Sequence, residues 1–220
     1  MSSINPHFTL NYSQPEDYRF SHDSVFLARR VYELIRDEDI STWRGLDLCS
    51  GCGVIGLDLL FHCYKEANKT FAAFDFLEVQ DIYASHFTTN VERLGDIGAE
   101  LNFINQNYNV LASAAWENKF DVIVCNPPYF HLGQGKLSPS EFKNRCRFFM
   151  DSDFKSLFKG LINALKPGSH AYVLLRDQVE HGWSATEEAR KCIAALGSLE
   201  SLEDIRGTGV VRITKFPQKI

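Results

Sequence analysis

The run Phe120-Asp-Val-Ile-Val-Cys125 is apolar enough to be a buried strand, and it passes directly into Asn126-Pro-Pro-Tyr129. Two consecutive prolines remove two backbone donors and fix two φ angles, so neither a sheet ladder nor a helix continues there. A strand that ends this way opens its carboxyl tip into a stiff, extended turn with free carbonyls. An amide side chain stands at one end of that turn and an aromatic ring at the other. An amide oxygen that accepts from an NH2 group, beside a ring that stacks on a flat π system, suits a planar acceptor carrying an exocyclic amine. Open α/β sheets hold their ligands at strand carboxyl ends. Asn126, Pro127, Pro128 and Tyr129 are therefore the candidate catalytic residues. The competing reading is a rigid polar loop.

Around this strand the hydrophobic period alternates between two and 3.6 residues. A helix is predicted from Ser21, with Val25, Leu27, Ala28, Val31, Leu34 and Ile35 on its apolar face and Ser21 or Asp23 as its cap. Strands are predicted over 44–49, 70–77, 101–104, 120–125, 171–175, 199–206 and 209–216. Helices fall after the glycine loop, over 79–94, from an Asp151 or Ser152 cap to a stop at Lys166-Pro-Gly168, and over 185–196. The last two strands read as a hairpin joined at Gly207-Thr-Gly209. This alternation predicts an α/β fold: a doubly wound, mostly parallel seven-stranded sheet with one antiparallel strand from the C-terminal hairpin. No linker or repeat divides the 220 residues, so one domain is expected, with an N-terminal arm and helix over 1–43, a core over 44–220 and an insertion at about 131–150.

Composition excludes several classes. A chain with 45% hydrophobic residues and 17 phenylalanines is not disordered. The N-terminus has neither a basic start nor an apolar core, and no apolar run reaches membrane-spanning length. Six cysteines in such a chain read as reduced thiols, which makes the cytoplasm the expected location. A net charge of −5 argues against a broad, non-specific nucleic-acid footprint but leaves room for a local basic patch.

The segment Asp47-Leu-Cys-Ser-Gly51-Cys-Gly53-Val-Ile-Gly56 lies between the first strand and its helix, with glycines in G-x-G-x-x-G spacing. Such glycines let the backbone approach a ligand at a helix N-terminus, and the spacing fits both dinucleotides and S-adenosylmethionine. Glu78 ends the second strand, where an acid can accept hydrogen bonds from ribose hydroxyls; Asp75, inside the apolar run, is the weaker candidate. Cys49 and Cys52 form a C-x-x-C with no second ligand pair at metal spacing, so no metal is expected. Lys136, Lys143, Arg145 and Arg147 put four positive charges into the insertion, with Glu141 as the accompanying acid; a solvated face and a phosphate contact both fit them.

Asp47 to Gly53, Glu78 followed by Gln80 and Asn90, and Asn126-Pro-Pro-Tyr-Phe130 together resemble a class I S-adenosylmethionine-dependent methyltransferase with a Rossmann-like fold. Asn-Pro-Pro-Tyr is the signature such enzymes use for a planar nitrogen acceptor. Within that group the chain is similar to the bacterial tRNA (adenine-N6)-methyltransferases, through Phe20-Ser-His-Asp23-Ser-Val-Phe-Leu-Ala28 and Phe130-His-Leu-Gly133-Gln-Gly135-Lys-Leu-Ser138-Pro139. The likeness runs over about 18–176. It implies that Asp23, Asp47, Gly51, Gly53, Glu78 and Asn126 hold S-adenosylmethionine, and that Asn107 does so where the family has an acid. It further implies that Tyr129, Phe130, Lys136, Arg145 and Arg147 contact the acceptor, an RNA and in particular tRNA. Asn144-Arg-Cys-Arg147 matches the family's Ala-Arg element only loosely. Two other readings are a protein methyltransferase acting on glutamine side-chain amides and a non-catalytic cofactor-binding module.

Overall fold

The computed structural model describes residues 9–217. Seven strands form one sheet: β1 (Arg44–Leu48), β2 (Ala73–Glu78), β3 (Glu100–Asn105), β4 (Phe120–Cys125), β5 (Leu165–Leu175), β6 (Gly197–Ile205) and β7 (Thr208–Lys215). Their order is β3-β2-β1-β4-β5-β7-β6, with β7 antiparallel to both of its neighbours and the other pairings parallel. The expected sheet, with one antiparallel strand contributed by the closing hairpin, is therefore present.

Period-two burial explains the layers. Phe74, Phe76, Val122 and Val124 face one apolar cluster, while Leu46, Leu48, Ile123 and Cys125 face the other. The first cluster is covered by α1 (His22–Ile35), α2 (Val54–Ala67) and α3 (Tyr83–Leu94). The second is covered by α5 (Phe154–Ala164) and α6 (Ala185–Ile193), and between the two groups in sequence comes α4 (Glu141–Arg147). Strand order reverses at β1, which pairs with β2 on one side and β4 on the other. The carboxyl tips of β1 and β4 thus flank the crevice where such sheets bind ligands.

Several predicted boundaries shift for identifiable reasons. Lys166-Pro-Gly168 does not stop a helix; it lies in β5, where an irregularity opposite Phe120 and Val122 absorbs residues that cannot all join the ladder. Asp153, rather than Asp151 or Ser152, caps α5 by accepting from Ser156 N at 2.9 Å. The hairpin turn is Arg206-Gly207, both with left-handed φ (53° and 80°), and Thr208 and Gly209 already belong to β7. The insertion contains α4, which no apolar period announces; Ser140 caps it. Leu34, predicted for the apolar face of α1, is exposed, and neither Ser21 nor Asp23 caps that helix through its side chain.

On α2, buried His62 lies 3.5 Å from Asp58 and 2.5 Å from Glu66, with Arg29 at 3.2 Å and the Tyr32 ring stacked on it. Burial works to lower its pKa, but the hydrogen bonds to the two carboxylates outweigh that and raise it. A histidine raised in the folded state contributes stability fully below its unfolded value of about 6.5, and the contribution is lost as pH rises through the folded value. Denaturant midpoints should therefore fall from about pH 6 to pH 8 in the native protein and change less in His62→Gln; parallel profiles would contradict the assignment.

Candidate active site

The glycine loop is a run of backbone that only small or strained residues permit. Cys49, Gly51 and Gly53 all have left-handed φ (59°, 54° and 84°), which folds the chain back so that α2 starts beneath the tip of β1. Gly53 also has no room for a side chain, because a Cβ would lie 2.8 Å from the Phe87 ring. Gly53→Ala should destabilise the protein by about 1–3 kcal/mol in denaturant unfolding, from left-handed strain and overpacking together. Gly56 is a packing glycine: its Cβ would meet the Phe76 ring at 2.5 Å, so it sets how closely α2 approaches β2.

Asp47 sits behind the loop. Its Oδ2 accepts from Gly56 N at 2.8 Å, while Oδ1 is buried without a partner among the described residues. Burial pushes its carboxyl well above the ordinary range, with the Gly56 N–H working the other way. Glu78, at the tip of β2, stands in front: Oε2 accepts from Gly51 N and Oε1 from Gln80 N, each at 2.9 Å. Burial raises its pKa too, against those amide donors. Asp75 lies inside β2, three residues before Glu78, and is held by Arg44 at 2.8 Å and Asn102 at 3.1 Å.

The tip of β4 faces the same space. Asn126 Nδ2 donates to Ser24 Oγ at 3.0 Å, and its Oδ1 accepts from the Tyr129 hydroxyl at 2.6 Å. The insertion returns against this corner after α4: Tyr129 N and Phe130 N donate to the Arg147 carbonyl at 3.1 and 3.0 Å, and Phe149 N donates to the Phe130 carbonyl at 2.9 Å. Burial pushes the Tyr129 phenol above its usual range, the nearby Asp23 adding to the shift and Arg176 opposing it.

A cavity of about 410 Å³ is shared by these groups. Gly51, Glu78, Asp23, the whole Asn126–Phe130 corner, Arg145 and Arg147 line it. Asp47, Gly53, Asn107, Lys136 and Asp75 are not among the lining residues. Asn107 instead caps a short 3₁₀ turn by accepting from Asn109 N, and its Nδ2 donates to the Asp151 carbonyl; neighbouring Gln106 is on the wall. Lys136 is exposed in the insertion. Arg145 lines the cavity but holds Asp151 at 2.8 Å, so its charge is already matched. Asp23 accepts from Thr208 Oγ1 at 2.9 Å.

Ser50, Gln80, Tyr83 and Arg176 are among the wall residues that carry no site role in the sequence reading. Ser50 has a buried hydroxyl with no partner among the described residues, and its place inside the glycine loop was the available signal. Tyr83 and Gln80 converge on Cys146 Sγ, at 3.4 and 3.3 Å, a contact between distant segments that no spacing reveals. Arg176 directly follows β5, so the strand-tip rule alone would have found it. Cys49 and Cys52 are free thiols; burial, followed by the charge of Asp47, pushes the Cys52 pKa up to about 12, which leaves it unreactive near neutrality.

No family model matches the chain. Its sequence is 27% identical over 135 residues to a tRNA1(Val) (adenine(37)-N6)-methyltransferase of Bacteroides fragilis, covering 61% of this chain and 53% of that protein. The chain thus spans about half the length of the curated relatives it matches. Among solved structures it is similar to a T. thermophilus 16S rRNA N2 methyltransferase in complex with AdoMet and guanosine, with a TM-score of 0.61, 16% identity and coverage of 91% of this chain and 44% of that one. It is also similar to a SAM-dependent O-methyltransferase of Thermotoga maritima, with a TM-score of 0.58, 14% identity and coverage of 94% and 69%. At these identities the structural likeness bears on the fold, which is the Rossmann-like fold of class I methyltransferases.

Proposed function

We propose that this chain is an S-adenosylmethionine-dependent N-methyltransferase, acting on the exocyclic N6 amine of an adenine in RNA, with tRNA as the substrate. The observation that carries the reading is the shared cavity: the glycine loop with Glu78 and the Asn126–Tyr129 corner open onto one space. The activity by which the Bacteroides fragilis relative is named supports the same acceptor chemistry. On this reading residues 1–220 act as a single methyltransferase domain.

The cavity residues fit the cofactor. Its volume of about 410 Å³ is within the range of small-molecule sites. Glu78 would accept from the ribose hydroxyls, Asp23 and the loop at Gly51 would hold the polar end, and the unpartnered Ser50 hydroxyl supplies a further donor. Asp47 and Gly53 would act from behind by fixing the loop, and Asn107 by fixing the turn beside Gln106. When bound, S-adenosylmethionine supplies an electrophilic sulfonium methyl, which leaves positioning as the protein's task.

The acceptor half follows from hydrogen-bond inventory. Asn126 Oδ1 and the Pro127 carbonyl accept the two amine hydrogens, which turns the nitrogen lone pair toward the methyl. Tyr129 stacks on the base, and Phe130 supports it. An adenine in RNA has to be unstacked and turned outward to reach this corner. The Tyr129 hydroxyl, bonded to Asn126 Oδ1 at 2.6 Å, competes with the incoming amine for that oxygen. Tyr129→Ala should therefore raise KM for the acceptor about tenfold or more through lost stacking, whereas Tyr129→Phe should keep it. Equal losses in both would refute stacking.

Incubation with labelled cofactor and total RNA, with and without ribonuclease, tests the assignment. Label is expected in RNA and should vanish with ribonuclease. Label retained in protein would replace the reading with glutamine-amide methylation, and cofactor binding by calorimetry with no transfer to RNA or protein would leave a non-catalytic cofactor-binding module.

A further inference from the structure

Three arginines that line the cavity, Arg19, Arg147 and Arg176, have no carboxylate partner among the described residues, and the last two rest on aromatic rings of the acceptor corner. Arg147 is bound to the corner through its backbone, and its guanidinium carbon lies 5.5 Å from the Phe130 ring centroid and 5.4 Å from that of Phe148. Arg176, the first residue past β5, is exposed, with its guanidinium carbon 5.6 Å from the Tyr129 ring centroid and a long bond of 3.4 Å to Thr208 Oγ1. Both line the mouth of the cavity. Arg145, two residues from Arg147, shows the contrast, because Asp151 neutralises it. A guanidinium resting on an aromatic face keeps its N–H edge free, and that edge fits a phosphate in bidentate fashion.

The positions of the two charges are informative because the chain as a whole is acidic, at −5. Leaving two cations unmatched next to one corner favours a ligand that brings its own fixed anions there. A nucleotide cannot put its base on Tyr129 without bringing its two flanking phosphates to the rim. A glutamine side chain in a protein brings none.

We propose that Arg147 and Arg176 form a phosphate clamp, gripping the RNA backbone on either side of the acceptor nucleotide. This deepens the function proposed above and rests on its RNA substrate. It assigns the backbone contact beside the corner to Arg147 and Arg176 rather than to Arg145 and Lys136.

The test is the salt dependence of KM for RNA methylation in the full chain, comparing wild type with Arg147→Gln, Arg176→Gln, the double variant and the exposed control Arg36→Gln. Each neutralised phosphate contact on a single strand contributes about 0.7 to the slope of log affinity against log salt. The double variant should lose about 1.4 of that slope and show KM raised at least about tenfold at low salt, with kcat at saturating RNA and cofactor affinity by calorimetry retained. Arg36→Gln should keep the wild-type slope. Lysine at both positions should restore most of the slope, which a merely structural role would not require. An active wild type whose slope survives in the double variant would overturn the clamp alone. A wild type that methylates no RNA at any salt would overturn the proposed function, and the clamp with it.

Discussion

Asn126→Ala is expected to lower the rate of methyl transfer by at least about 10²-fold while cofactor affinity stays within about twofold. The amide does three things at once. Its Oδ1 would take one hydrogen of the acceptor amine, its Nδ2 is tied to Ser24 Oγ at 3.0 Å, and that tie decides which amide atom faces the cavity. Alanine removes the acceptor and leaves the Tyr129 hydroxyl without its 2.6 Å partner. The Pro127 carbonyl remains, so the amine can still be held by one hydrogen but is no longer oriented. None of the loop contacts around Gly51 and Glu78 involves Asn126, which is why binding and transfer should separate. Single-turnover rates with labelled cofactor, beside calorimetric titration, decide the matter. Transfer retained within tenfold would remove Asn126 from the mechanism, and loss of cofactor binding in parallel would make its role structural.

Glu78→Gln should weaken cofactor binding by about 10- to 100-fold, even though it changes one atom. Both carboxylate oxygens accept from backbone amides, Gly51 N and Gln80 N, at 2.9 Å. A glutamine has a single acceptor oxygen, so whichever way it turns, its NH2 meets one of those two N–H groups donor to donor. The cost of a buried donor left unmade is about 1–3 kcal/mol, and it falls on the loop that forms the cavity wall. Glu78→Ala removes both acceptors and should lower the unfolding midpoint as well. Titration calorimetry with the cofactor or its demethylated product reads the first effect, and denaturant unfolding reads the second. A glutamine variant with wild-type affinity would mean that Glu78 neither shapes the loop nor meets the ligand.

These expectations differ in where they come from. The end of β4 was visible in the sequence because two prolines act on their own backbone wherever they occur, and Asn126 and Tyr129 are tied to that stop by covalent spacing. The alternation of strands and helices was visible because burial on two faces imposes its period on local sequence, as with Phe74 and Phe76 against Val122 and Val124. Glu78 was legible by its place at a strand tip. Boundaries failed where tertiary context overrode a local signal. Pro167 and Gly168 read as a helix stop, yet the irregularity in β5 accommodates both. α4 has too few residues to show an apolar face.

The sequence by itself thus determined the alternation of strands and helices, the mostly parallel sheet it implies and the stop at the end of β4, since each depends on torsional limits or apolar periods within a few residues. Only the tertiary structure decided which charges remain available. It paired Arg145 with Asp151, turned Asn107 into a cap, set Asp47 behind the loop, and joined Ser24 to Asn126 across 102 positions of chain. A hydrogen bond or ion pair depends on the distance between two groups in space, and for residues that far apart the distance is fixed by packing, which spacing along the chain does not encode.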